Sequence, residues 1–119
     1  MHRLEETIAR LDAAVTAAPT LEHPWREQLQ GRLREVAAEL SEERAVAAET
    51  WLDARAGHLH RERNRLLAKV SVLQPMVDSA EPDAVRAAVA RLVQDLEHHG
   101  QRVSDLAYDG VAMEVGGSE

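Results

Sequence analysis

Residues 82–108 read PDAVRAAVARLVQDLEHHGQRVSDLAY, and this segment carries the clearest structural signal in the chain. Its mostly apolar positions recur every three or four residues, which places them on one face of an α-helix. The positions on this face are Val85, Val89, Leu92, Leu96, His99, Val103 and Leu106. Pro82 suits the first turn of a helix. The phase of the face is kept across Gly100, so the segment predicts one long helix that passes through this glycine.

Three further segments show the same periodicity. The predicted helices cover about residues 3–18, 24–52, 58–74 and 82–108. We expect a turn near residues 53–58, with Gly57 in the left-handed conformation, because an uninterrupted second helix would be about 75 Å long. Pro75 is expected to help end the third helix, and residues 109–119 are expected to form an extended tail. The pattern predicts an all-α fold in which residues 1–108 form an antiparallel up-and-down four-helix bundle.

Composition excludes several classes of function. The 119 residues suit one domain, and the absence of cysteine excludes disulfides and zinc–thiolate sites. The net charge of −7 argues against a nucleic-acid partner, which needs a positive field. No apolar run approaches the roughly 20 residues that cross a bilayer, and residues 1–6 are charged where a signal peptide is apolar. We therefore expect a cytoplasmic protein without membrane contact. Because the sequence contains no phenylalanine, we also expect a core of Leu, Val and Ala, which includes Trp25.

Two adjacent histidines are the first candidates for chemistry. His98 and His99 lie about 100° apart around a helix, so they cannot point into one site. His99 is on the apolar face and His98 is off it. Either could be a weak metal ligand, but the residue four positions after His99 is Val103 rather than a carboxylate. A structural role for a buried His99 is therefore favoured.

A basic run supplies the second candidate site. Arg61 and Arg65 lie one turn apart and, together with Arg63, could bind a phosphate or a carboxylate. The favoured interpretation is a solvated helix face on which Glu62 and neighbouring acids are the partners, because exposed pairs contribute little.

Arg63 differs from its neighbours because it falls on the apolar face of the third helix. A guanidinium in such a seam needs an acidic partner on a facing helix. Glu43 is the first candidate, and Asp95 or Glu49 are alternatives. We therefore expect Glu43, Arg63 and His99 to form a polar cluster in the core, as the remnant of a metal site or as an ion pair.

Catalytic motifs are scarce. The sequence contains no glycine-rich phosphate loop, nucleophile elbow or His-Glu-x-x-His zinc helix. No pair of carboxylates and no His–carboxylate dyad occurs on a shared helix face. We therefore expect that the protein is not an enzyme.

Parts of the chain resemble the hemerythrin-like (HHE, cation-binding) domains. The segments that carry the resemblance are residues 61–67, 78–85 and 96–117, together with Trp25. The resemblance implies a four-helix bundle that holds a pair of iron ions through His and carboxylate ligands from all four helices. Such domains commonly have His-x-x-x-Glu on helices two and four and a histidine on helix three. The resemblance also implies a function in binding or sensing dioxygen, or in handling iron or nitric oxide.

The sequence departs from the family at most ligand positions. His99 matches the histidine of helix four, but Val103 stands where the family has a glutamate. Arg63 takes the place of the histidine of helix three. In the best register of helix two, the histidine position is Glu43 or Arg44 and the carboxylate position is Ala47 or Ala48.

These departures lead to one main hypothesis and one alternative. We expect a degenerate hemerythrin-like bundle without a cofactor, in which the Arg63 guanidinium fills the space of the metal and which acts as an interaction or small regulatory module. The alternative is a metal- or oxygen-binding protein with an unusual ligand set for an iron pair. Its ligands would come from His98, His99, Glu43 and His58 or His60. Alanine-rich exposed faces are compatible with a homodimer or another protein partner.

Overall fold

The computed structural model describes residues 3–17, 22–42 and 53–117. These residues form four α-helices and no strand, which confirms the all-helical fold class. The helices are α1 (Arg3–Thr16), α2 (Glu22–Glu42), α3 (Asp53–Ser79) and α4 (Pro82–Gly117). Residues 43–52, which were predicted to complete the second helix, lie outside the described residues.

The main core consists of aliphatic side chains from all four helices. Its fully enclosed members, with no exposed surface, are Leu11, Leu29, Leu33, Val36, Leu40, Val77, Val85, Val89 and Leu96. Each lies on the apolar face of its helix, so burial of that face stabilises the helix more than its intrinsic propensity does. The core of Leu, Val and Ala that was predicted from the absence of phenylalanine is confirmed, with Ala14 as its buried alanine.

Trp25 joins the end of α1 to the start of α2. Its side chain is buried, and its indole Nε1 donates a hydrogen bond of 3.0 Å to the backbone carbonyl of Ala14. This bond satisfies one of the carbonyls that the last turn of α1 leaves without an intrahelical partner. The guanidinium of Arg86 lies 5.0 Å from the centre of the Trp25 ring, within the range of a cation–π contact. The core position predicted for Trp25 is confirmed.

Helix α3 is longer than the sequence pattern predicted. It begins at Asp53 rather than near 58, and it contains Gly57, so the predicted left-handed turn at this glycine is not formed. Glycine lowers helix stability by only about 1 kcal/mol, which does not by itself end a helix. Pro75 also lies inside α3, which continues to Ser79 rather than ending near 74.

Contacts with α2 explain how α3 continues beyond Pro75. Val77 is fully buried in the core. The free energy gained by this burial offsets part of the free energy lost with the hydrogen bond that a proline removes. Gln30 donates from Nε2 to the carbonyl of Gln74 at 2.5 Å, and the buried Arg26 donates from Nη1 to the carbonyl of Val77. A cation at the C-terminal turn also interacts favourably with the helix dipole.

Helix α4 passes through Gly100 and extends to Gly117. Its apolar face keeps its phase across Gly100, in line with the sequence pattern. The extended tail predicted for residues 109–119 is not observed for 109–117. Residues 109–115 contain no proline, and adding residues to an existing helix satisfies one backbone hydrogen bond per residue. That gain outweighs the weak alternation that suggested an extended segment.

Each helix contacts two others, namely α1 with α2, α2 with α3, α3 with α4, and α4 with α1. Arg3 at the start of α1 pairs with Glu39 near the end of α2, at 3.6 Å. Gln30, early in α2, reaches Gln74 near the end of α3. Glu62, in the first half of α3, faces His99, in the middle of α4, and this contact lies at the centre of the candidate site.

Candidate functional site

The candidate site begins with a fully buried histidine. His99 has no exposed surface, although it lies among leucines on the apolar face of α4. A buried imidazole without hydrogen bonds would cost free energy, so its ring nitrogens need partners. His98, the next residue, is exposed, so the two histidines point in different directions, as their adjacency requires.

The partner of His99 comes from α3. Oε1 of Glu62 lies 2.6 Å from Nδ1 of His99, and the Glu62 side chain is only 13% exposed. An ionised carboxylate can only accept hydrogen bonds, so the proton lies on Nδ1 of the imidazole and Nδ1 donates. The sequence showed no His–carboxylate dyad because only residues of the same helix can be compared by their spacing. The structure forms one between two helices.

Arg102 completes this group of side chains, one turn after His99 on α4. Its Nε donates to Oε1 of Glu62 at 3.2 Å, and its Nη2 donates to Oε2 of the same carboxylate. Such a two-pronged arrangement is the strong form of a carboxylate–guanidinium pair. The Arg102 side chain is 47% exposed, so the network runs from the interior to the surface. We refer to Glu62, His99 and Arg102 as the polar layer.

The network shifts the ionisation of its members. Burial alone would raise the pKa of the Glu62 carboxyl, but the hydrogen bonds and charges of Arg102 and His99 outweigh burial and lower the pKa below its ordinary value of 4.5. The hydrogen bond to Glu62 raises the pKa of Arg102. Glu62 is therefore ionised at neutral pH and carries the negative charge of the polar layer.

Apolar clusters flank the polar layer along the helices. On one side lies the main core, which includes Leu66 of α3 and Leu96 of α4. On the other side Leu59 and Leu106 form a small second cluster, with Val103 packed against it. Because the layer separates these clusters, it acts as a polar break in an otherwise aliphatic contact between α3 and α4.

Arg63 has different surroundings from those that the sequence suggested. It is half-buried, and its Nη2 donates to Nδ1 of His60, one turn earlier on the same helix, at 2.5 Å. Its proposed partner Glu43 lies outside the described residues, as does Glu49. The other alternative, Asp95, pairs with Lys69 at 2.8 Å.

The predicted anion-binding arginines differ in their exposure. Arg61 and Arg65 are exposed, whereas Arg63 is half-buried beside His60. Glu62, which was expected to serve the exposed basic face, instead turns toward α4 and bonds Arg102. Glu62 is therefore a member of the polar layer and does not serve as the partner that the sequence predicted for the exposed arginines.

Sequence reasoning missed Glu62 and Arg102. The apolar face of α3 includes Leu59 and Leu66, and either Glu62 or Arg63 can lie between them at helical spacing. Arg63 was preferred on the sequence. Noting that Glu62 lies three residues after Leu59 and four before Leu66 would have made the carboxylate an equal candidate for the contact with His99.

The described part of this site does not fit a pair of iron ions. Among residues 3–17, 22–42 and 53–117, no three His, Asp or Glu side chains lie close enough together to hold a metal ion. The Glu62 carboxylate is bonded through both oxygens to a guanidinium, whose charge repels cations. An iron pair needs several imidazoles and bridging carboxylates.

Comparison with protein-family models, with curated proteins and with solved structures gives no match to this chain. Within the described helices, none combines the length and the apolar character that a bilayer crossing requires.

Proposed function

We propose that the chain is a degenerate hemerythrin-like bundle that binds no metal, has no enzymatic activity and acts as an interaction or small regulatory module in the cytoplasm. The proposal includes an antiparallel up-and-down arrangement of the four helices. One observation carries it: Glu62, the carboxylate that accepts a hydrogen bond from the buried His99, is also bonded through both of its oxygens to the Arg102 guanidinium.

The contacts between helix ends support the antiparallel arrangement. The start of α1 meets the end of α2 through Arg3 and Glu39, and the start of α2 meets the end of α3 through Gln30 and Gln74. In α3 and α4, residue numbers also run in opposite directions along the contact, because Glu62 meets His99 whereas Lys69 meets Asp95. The two-residue connection between α3 and α4, residues 80–81, favours the same arrangement for this pair.

The burial of His99 supports a non-enzymatic role. A general acid or base must lie within hydrogen-bonding distance of the substrate, and the His99 imidazole has no surface that is open to one in this structure. The network instead provides what a structural histidine needs, which is a charged acceptor that is itself neutralised by a cation. The presence of Val103 and Arg63 at two ligand positions of the family agrees with this interpretation.

Metal analysis tests the proposal directly. Protein produced in iron-replete medium is purified without chelators, and its metal content and visible absorption are measured. We expect no stoichiometric iron and no visible band. About two irons per chain, the content of a di-iron bundle, would overturn the proposal.

A metal- or oxygen-binding function is the second candidate, and one observation favours it. Histidines that bind metals often donate their second ring N–H to a carboxylate, and Glu62 accepts such a bond from His99. This function predicts that His99→Ala abolishes metal uptake, whereas the exposed His98→Ala retains it. Equal metal content in both variants and the parent would exclude a role for His99 as a ligand.

A further inference from the structure

Helix α3 has a second regular face, which is exposed to solvent. Arg61, Arg65, Ala68 and Val72 recur at intervals of four, three and four residues, and this spacing places them on one side of the helix. All four side chains are exposed, and Val72 is 70% exposed. We refer to these four residues as the outer face of α3. Its first half is cationic, its second half is aliphatic, and it is about 16 Å long at 1.5 Å per residue.

The two arginines of the outer face have no carboxylate partner among the residues that the structure describes. No acid stands three or four positions from Arg61, and the only acid at such a distance from Arg65 is Glu62. Glu62 is already bonded to His99 and Arg102. Like charges one turn apart destabilise a helix, so the stability of α3 does not account for this pair of arginines.

The charge of this segment is opposite to that of the whole chain. Residues 57–69 contain four cations and one anion, whereas the chain has a net charge of −7. At physiological ionic strength charges interact over only about 8 Å. A short acidic segment at the outer face therefore meets the local positive charge. A long polyanion such as a nucleic acid would also extend over the acidic remainder of the surface, which repels it.

The aliphatic half of the outer face narrows the choice of partner further. Ala68 and Val72 also line a groove between α3 and α4, together with Arg91. A free phosphate or carboxylate would gain nothing from the exposed Val72, and two arginines on a convex helix do not form the concave site of a small ligand. A helix that binds a lipid surface has a broader apolar face than one valine and one alanine.

A partner helix can satisfy both halves of the outer face. Carboxylates of such a helix can accept paired hydrogen bonds from the guanidiniums of Arg61 and Arg65. An apolar side chain one or two turns further along can cover Val72 and bury its exposed surface. An amphipathic helix presents its side chains at intervals of three and four residues, which is the spacing of the outer face itself.

We propose that the outer face of α3 binds an acidic amphipathic helix of a partner protein, with Arg61 and Arg65 on its carboxylates and Val72 against its apolar side chains. The inference deepens the proposed interaction module, on which it rests, by naming the chemistry of the partner. The two proposals can fail separately, because metal content tests the first and peptide binding tests the second.

The test measures the binding of fluorescent peptides to the full chain by anisotropy. The peptides have about 18 residues, which is about five helical turns. One peptide has glutamates on one face of its first half and leucines on the same face of its second half. Another has the two halves exchanged, because the partner can lie parallel or antiparallel to α3. A control peptide has the same composition with its glutamates spread around the helix. One of the two patterned peptides is expected to bind about tenfold more tightly than the control and less tightly as salt is added.

Variants of the chain assign the binding to the outer face. R61Q/R65Q is expected to weaken the binding of the patterned peptide about tenfold, and Val72→Ser about fivefold. Arg34→Gln removes an exposed arginine of α2 and is the matched control, with affinity unchanged. Circular dichroism verifies the folding of each variant. R61Q/R65Q is expected to be at least as stable as the parent, because it removes the repulsion between like charges.

Four results would overturn the inference. Neither patterned peptide binds more tightly than the control peptide, or R61Q/R65Q binds the patterned peptide as tightly as the parent does. Single-stranded DNA or phosphatidylserine vesicles bind the chain more tightly than the patterned peptides, which would assign the outer face to a phosphate-bearing partner. The chain alone has a molar mass near twice 13.2 kDa that is halved in R61Q/R65Q, which would assign the outer face to a second copy.

Discussion

Replacing Glu62 with glutamine removes the charge of the polar layer while keeping the shape of the side chain. The bond to His99 joins a fully buried side chain to one that is 13% exposed, and a charge-assisted hydrogen bond of this kind contributes about 1.5–3 kcal/mol. The Arg102 side chain is 47% exposed, so its ion pair adds at most about 1 kcal/mol after solvent screening. Glutamine retains an acceptor for His99 and recovers part of the loss. We expect Glu62→Gln to lower the free energy of unfolding by about 2 kcal/mol.

The pH dependence of this loss provides a sharper test than its size. The pKa of Glu62 is lowered in the folded chain, so its stabilising contribution is fully present above the ordinary carboxyl value of 4.5. The contribution is lost as the pH falls through the lower pKa of the folded state. The difference in stability between the parent and Glu62→Gln should therefore be constant near neutral pH and shrink in acid.

Urea unfolding followed by circular dichroism at several pH values measures both quantities. Glu97→Gln is the matched control, because Glu97 is exposed on α4 and its replacement should change stability by less than about 0.5 kcal/mol. A Glu62→Gln variant as stable as this control would refute the structural role assigned to the polar layer. A loss that stays constant down to acid pH would show that the carboxylate charge is not its source.

Three further changes test other contacts. Arg26→Ala removes the buried guanidinium that donates to a carbonyl in the last turn of α3, and it should lower the free energy of unfolding by about 2 kcal/mol. The control Arg34→Ala, at an exposed position of α2, should change the free energy of unfolding by less than about 0.5 kcal/mol. Gly100→Ala should raise the melting temperature, with a gain of about 0.5–1 kcal/mol, because an added Cβ has no neighbour within 4 Å and alanine favours the helix; a lower melting temperature would contradict this. The double variant E62L/H99L should unfold within about 1 kcal/mol of the parent or above it, and a loss above about 3 kcal/mol in urea would show that the layer is a net source of stability.

The sequence was most informative where burial follows a simple period. The apolar face of α4 predicts its buried residues, including His99, because a strand or an irregular segment would not repeat apolar positions at this spacing over so many turns. Trp25 was also assigned correctly to the core. The limits of α3 were predicted less well, since Gly57 and Pro75 are local signals whose cost is offset by contacts with α2. Those contacts join residues more than forty positions apart and leave no mark on the local pattern.

The candidate site was predicted only in half. His99 was identified from its position on the apolar face, but its partner depends on which of two adjacent residues of α3 turns inward. Glu62 and Arg63 are both compatible with the spacing of Leu59 and Leu66, and the choice depends on the rotation of α3 against α4. If Arg63 turned inward, the site would be a cation between α3 and α4. Because Glu62 turns inward instead, the site is a carboxylate bonded to a histidine and an arginine.

We expect the contacts of the polar layer to set the relative position of α3 and α4. Leu59 and Leu106 on one side and Leu66 and Leu96 on the other are similar in shape, so a slide of one turn, about 5.4 Å, would leave aliphatic contacts largely intact. The same slide would remove Glu62 from His99 and leave a buried imidazole and a carboxylate among leucines, which is costly. The layer therefore excludes the shifted pairing without adding much net stability. If E62L/H99L gives two sets of amide signals in an NMR spectrum, the polar layer sets the register of α3 against α4. If it gives one set of signals with the parent pairing of the two helices, the aliphatic clusters are enough to fix the register and the layer has no such role.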